Sequence, residues 1–183
     1  MTKIYHLDPS HSRVGFGVKH LMVATVRGRF GEAEADVITD GDDLSRATIV
    51  ARIKTASIDT GDQARDGHLR SDDFFSAERY PEITFSSSAI TPVGEDRYRV
   101  SGELTIRDVT RPVDLDATVE GALRDPWGND RIAVTLTGRI DRKAWGLSWN
   151  QVLEAGRLLV SDDVKLEIEA VLVSKAAATE IAA

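Results

Sequence analysis

The chain has no cysteine. Disulfide frameworks, iron–sulfur clusters and thiol nucleophiles are thereby excluded, and its 183 residues must fold on apolar burial, a length sufficient for one substantial core. Basic charge is not in excess either, since 23 Lys and Arg against 30 Asp and Glu leave a net charge of −7. A phosphate backbone calls for a basic footprint, and here the cations are scattered among acids, which argues against a nucleic-acid partner. No window approaches the ~20 apolar residues that span a bilayer. The opening MTKIYHLDPSH lacks the apolar core of a signal peptide. These absences predict a cytoplasmic protein with no stable membrane insertion.

Catalytic signatures are missing too. There is no G-x-S-x-G elbow, H-E-x-x-H helix, P-loop or complete G-x-G-x-x-G; Gly15 and Gly17 fall inside a strand pattern. The four histidines, His6, His11, His20 and His68, match no standard zinc spacing, so neither metal nor other cofactor is expected. Asp66, His68 and Ser71 allow a triad to be drawn on paper, but three polar residues in one loop meet that description by chance. A capped turn whose charges pair locally is the favoured account of them.

What fills the chain instead is alternation of period two, the mark of strands with one buried face. In YRVSGELTI the inward set is Tyr98, Val100, Gly102, Leu104 and Ile106. In PVDLDATVEGAL it is Val113, Leu115, Ala117, Val119, Gly121 and Leu123. RIAVTLTGRI and VKLEIEAVLV repeat the pattern through Leu136 and Leu166, as do Val14, Phe16 and Val18, then Ala47, Ile49, Ala51 and Ile53, then Ile83 and Phe85. TDGDD, TPVGED and DPWGND supply hairpin turns, and RDVTRP a fourth, with Pro112 opening the next strand. Helix signals are confined to connectors, chiefly a short turn capped by Thr60 or Asp62 and reaching Leu69, with single turns at residues 20–25 and 142–150.

Long antiparallel strands with one wet face either stack as a sandwich or close into a barrel, and about eight strands enclose room for a ligand. The inner set is rich in Val, Ile, Ala and Gly, while aromatics make up only 6% of the chain. That composition favours a hollow interior, although a sandwich core tolerates it. The expected organisation is one domain over residues 1–175 with a frayed or weakly helical tail at 176–183.

Taken in order, DPSHSRVGFGVKHL, TASIDTGDQARDGHLRSDDFF, YPEITFSSSAI, SGELTIRDVTRPVDL, DRKAWGLSWN and VSDDVKLEIEA resemble the YceI-like family. The likeness runs from about Tyr5 to Ser174, and no single motif carries it. It implies an all-β, closed, lipocalin-like antiparallel barrel of about eight strands, with a short helical segment in the 60–80 connection. It further implies binding of a polyisoprenoid or similar long-chain amphiphile in an internal pocket, no shared catalytic activity, and a homodimer. Asp108 stands where the family usually has glycine; Asp tolerates left-handed geometry, so a retained turn is expected.

On this resemblance the apolar cavity wall is expected from Phe16, Val18, Phe30, Ile49, Ile53 and Phe85, with Leu104, Leu136, Phe74, Phe75, Trp145 and Trp149. For the two adjacent phenylalanines, lining the cavity and plugging its end predict the same sequence. For the tryptophans, core packing and a place at the mouth are equally open. Arg65, Asp66 and His68, in the family's RD-x-HL segment, and the inward His20 are the candidates for a headgroup. Arg65 and Asp66 have a second reading, as a network that holds the loop down, and His20 has one, slightly favoured, as a core residue with a polar partner. Two competing functions remain: an enzyme acting on a bound lipid through His68, Asp66 or His20, and a solid β-sandwich working through its surface.

Overall fold

The computed structural model describes residues 1–175; the predicted tail, 176–183, lies outside the described residues. The strands are β1 (Thr2–Leu7), β2 (Arg13–His20), β3 (Ala24–Phe30), β4 (Ala33–Asp40), β5 (Asp43–Lys54) and β6 (Ile58–Asp59). Helix α1 (Gln63–Arg70) follows, then β7 (Glu82–Gly94), β8 (Arg97–Ile106), β9 (Val109–Arg124), β10 (Asp130–Asp141) and β11 (Val160–Ser174).

All strand pairings are antiparallel, and β1, β4, β5, β7, β8, β9, β10 and β11 form a ring of eight that closes through β1 and β11. Closure removes the open edges that an isolated sheet of this size would present. The long strand β11 makes the closure possible by serving two partners on one edge. Val173 and Leu172 pair with His6 and Leu7 of β1, while the run from Val160 to Glu169 pairs with β2. Between them the chain leaves the ladder, and the Ser12 hydroxyl accepts from Val171 N at 2.9 Å in place of a backbone carbonyl. Strands β2 and β3 continue as a hairpin that ends on the two-residue β6.

The alternation predicted from sequence holds over most strands and fails where a bulge intervenes. Glu120 has no partner in the ladder, because Val119 lies opposite Val134 and Gly121 opposite Ala133. One extra residue reverses the parity of the rest of the strand. Ala122 then faces the same side as buried Ile132, and Leu123, expected inside, is exposed. Ser88 does the same in β7, handing the inward role from Phe85 and Ser87 to Ile90. Pro112 does not open β9, which begins at Val109. It sits opposite Glu103 of β8, and β10 joins β9 only from Asp116 onward, so its missing N–H faces no ladder. The β8–β9 turn is retained, but the left-handed residue is Arg107 (φ 57°) rather than Asp108.

The barrel has two unlike ends. At one, here the floor, Tyr5, Val37, Ile132 and Leu172 from four strands meet as a buried cluster. At the other, the mouth, lie α1, the 71–80 connection and the 142–159 segment. There Ile83, Ile106, Trp145 and Leu147 form a second buried cluster.

Candidate functional site

Between the two ends runs a cavity of about 640 Å³, bordered by inward side chains of nearly every ring strand. Its wall explains a feature of the burial pattern. Phe16, Ile49, Phe85 and Leu136 face inward yet are only half-buried, because nothing meets them across the middle. Three glycines help keep the bore open. A Cβ on Gly28 would meet the Phe16 ring and Thr60, one on Gly102 the Phe85 ring, and one on Gly138 the Leu115 side chain. Each glycine lets a large neighbour lie flat against the wall.

The structure brings all but one of the expected apolar residues to the border of the cavity. Phe16, Val18, Phe30, Ile49, Ile53 and Phe85 border the cavity, as do Leu104, Leu136, Phe74, Phe75 and Trp149. Phe16, Phe30 and Phe75 form a chain of rings with centroids 5.7 and 5.9 Å apart. At the mouth His68, Phe74 and Trp149 make a second cluster, His68 edge-on to Trp149 at 4.6 Å and to Phe74 at 5.1 Å. The paired phenylalanines therefore divide the work, Phe75 joining the wall and Phe74 the mouth. Trp145 is the correction. It is 3% exposed and outside the cavity lining, packed in the mouth-end core with its indole N–H donating to the Leu104 carbonyl at 2.9 Å. The indole nitrogen needs a partner when buried, and the β8 carbonyl supplies it within the mouth-end core.

The polar candidates separate as well. Asp62 caps α1, accepting from Ala64 N and Arg65 N at 3.0 and 3.1 Å. That start places Arg65 and His68 toward the cavity and Asp66 away from it. Asp66 is buried and accepts from Thr60 N at 2.9 Å and from the Thr60 hydroxyl. Arg65 donates to the same hydroxyl at 2.7 Å and to the Thr60 carbonyl at 3.0 Å. Asp66 thus takes the second of its two readings, as an anchor: its acceptor capacity is turned onto the backbone that α1 rests on. Arg70 adds bonds to the carbonyls of Ala56 and Ile58. His20 borders the cavity from the end of β2.

The triad drawn on paper does not assemble. Ser71 Oγ donates to the His68 carbonyl at 2.6 Å, while His68 Nε2 meets Asp73 at 2.8 Å. Among the described residues no group of three or more His, Asp or Glu could hold a metal ion.

Sequence reasoning missed Arg142, which is 4% exposed and also borders the cavity. Its guanidinium donates to the carbonyls of Ser161, Leu147 and Trp149 and lies 3.6 Å from Asp162. Burial pushes its pKa down, and the nearby Asp162 and Asp141 pull it back up. Arg142 latches the segment that carries Trp149 onto the start of β11. The available signal was a cation between the end of a strand and two tryptophans in DRKAWGLSWN.

Fold and site together define a hollow antiparallel barrel with an apolar bore and a polar, aromatic mouth. The YceI-like domain profile matches residues 5–172, and the chain belongs to that family. The UPF0312 protein SA2479 of Staphylococcus aureus (strain N315) is 35% identical over 167 residues, covering 91% of this chain and 95% of that protein. The crystal structure of a Campylobacter jejuni YCEI protein aligns with TM-score 0.76 at 31% identity, over 86% of this chain and 90% of the other. Burkholderia cenocepacia BcnA aligns with TM-score 0.79 at 27% identity, over 90% and 98%. A polyisoprenoid binding domain from Saccharophagus degradans shares the fold, with TM-score 0.68 at 20% identity over 93% and 98%.

Proposed function

We propose that this protein binds a long-chain isoprenoid or similar amphiphile inside the barrel, carrying or sequestering it without chemical change. The observation that carries this reading is the 640 Å³ void with an almost wholly apolar wall. Its size lies within the ~300–1,000 Å³ of small-molecule sites. The description of the Saccharophagus degradans domain as polyisoprenoid binding points the same way. The chain of the ligand lies against Phe16, Phe30, Ile49, Phe85 and Leu136, and its head meets Arg65, His68 and His20 at the mouth.

Apolar contact alone makes such a site selective for length. Larger ligands gain roughly 0.3 kcal/mol per heavy atom, so one five-carbon unit contributes about 1.5 kcal/mol. Micromolar affinity, about 8 kcal/mol, then needs on the order of five or six units. Native mass spectrometry of the freshly purified protein, with extraction and identification of the retained molecule, tests the class. A titration series of prenyl alcohols tests the mechanism: affinity rises with each unit until the bore is full. Equal affinity from two units to eight would overturn the proposal.

A further inference from the structure

An insoluble chain has to reach the bore without crossing water, and the mouth carries a feature suited to that task. The β2–β3 hairpin ends in Leu21, Met22 and Val23, with Met22 66% and Val23 81% exposed. Leu21 and Met22 both hold left-handed backbone, at φ 55° and 60°, a conformation that side-chain-bearing residues rarely adopt. A tip selected only for turning the chain would carry glycine or asparagine there. Beside it stands a second hairpin, residues 151–159, joined by the bond from Leu21 N to Leu159 O at 2.9 Å and closed on itself by Val152 opposite Leu158. Val152 is 70% exposed on that hairpin. The residues at the roots of both tips, His20 and Leu159, border the cavity.

We propose that these twin tips are the surface with which the protein touches a phospholipid bilayer, placing the mouth against the membrane for ligand exchange. The proposal rests on the reading of the cavity as a lipid site. Three observations favour a bilayer over a second copy of the chain. The patch is formed by two hairpin ends, and its exposed apolar area is on the order of a few hundred Å². A standard interface between proteins needs ~800 Å² from each partner. Finally, Lys19 and Arg157 flank the tips without an ion pair among the described residues, which suits an anionic headgroup layer. Another exposed apolar pair, Leu123 and Trp127, lies on the β9–β10 hairpin at the floor, where the Tyr5 cluster separates it from the mouth.

Co-sedimentation with vesicles of phosphatidylcholine and phosphatidylglycerol, three to one, tests the proposal on the full chain. The wild type is expected to bind, and the double variant Met22→Asp, Val23→Asp to bind at least tenfold more weakly. Trp127→Asp serves as the floor-end control and is expected to bind like the wild type. Uptake of an NBD-labelled six-unit prenyl alcohol, measured without vesicles, reports on the bore separately, and both variants are expected to retain it. Uptake of this probe without any vesicle binding would overturn the docking surface and leave the cavity reading standing; loss of both in the wild type would overturn the two together. Vesicle binding abolished by Trp127→Asp but not by the tip variant would place contact at the wrong end. A dimer that the tip variant turns into monomer in sedimentation velocity would assign the tips to self-association instead.

Discussion

The floor and the mouth of this barrel are built from different chemistry. At the floor, apolar side chains from β1, β4, β10 and β11 meet directly, and a charged network covers them from outside. Arg131 lies between Asp125, at 2.9 Å, and Asp8, at 3.1 Å, and both carboxylates also accept backbone or side-chain bonds nearby. At the mouth the rings of His68, Phe74 and Trp149 meet edge to face or tilted, and helix and loops are tied down through backbone carbonyls by Arg65, Arg70 and Arg142. One end is a plug made by the sheet itself. The other is a separate piece, fastened to the sheet at a few points. Stability should therefore reside mainly at the floor and ligand exchange at the mouth.

The largest separation between the ends is expected from core deletion. Leu172→Ala at the floor should cost about 2–5 kcal/mol of unfolding free energy, read by urea denaturation. A comparable loss from Trp149→Ala at the mouth would erase the distinction. Filling the bore tests the space between them: Leu136→Trp should abolish uptake of a six-unit prenyl alcohol while thermal unfolding stays within a few degrees of wild type. Gly28→Ala is a gentler version. The added methyl meets the Phe16 ring, turns it inward, and should weaken six-unit binding about tenfold while leaving two-unit binding unchanged. Trp149→Ala should speed ligand release five- to tenfold, measured by stopped-flow displacement, since an aromatic pair contributes about 0.5–1.5 kcal/mol.

The smallest effect concerns acid. Burial alone would raise the pKa of Asp125, but bonds from Arg131 and Asn129 outweigh it and hold the carboxyl at about 2. Bonds from Ser10, His11 and Arg131 hold Asp8 well below the usual carboxylate range. A carboxyl depressed on folding stabilises fully above its unfolded pKa of ~3.9 and loses that contribution as pH falls through its folded value. Floor stability should fall between about pH 4 and pH 2, and Asp125→Asn should flatten that part of the profile.

Much of the barrel was legible in the sequence because a strand writes its inner face in every second residue. Val100, Leu104, Leu115 and Leu136 were placed on the bore side from parity, and the cap of α1 was narrowed to Thr60 or Asp62, of which Asp62 serves. Leu123 was misplaced because a bulge adds one residue without changing composition, and nothing in the run EGAL marks Glu120 as the extra one. The same limit applies to charge. Asp66 and Arg65 stand side by side in the chain, yet only the path of the 58–60 segment past α1 turns one toward backbone and leaves the other beside the bore. Trp145 and Trp149 are four residues apart in one connection, yet Trp145 is packed into the mouth-end core and Trp149 borders the cavity, and Arg142 became visible only as the cation that latches that connection.

By itself the sequence determined that the chain forms long antiparallel strands with one apolar face, because alternation is a local property that hydrophobic burial reads directly. Whether those faces meet or stand apart was decided only in three dimensions. Closure through β1 and β11, and the glycines that let large neighbours lie flat, leave the middle of this barrel empty. Packing across a cavity is a relation between residues far apart in the chain, and no local pattern encodes the distance between them.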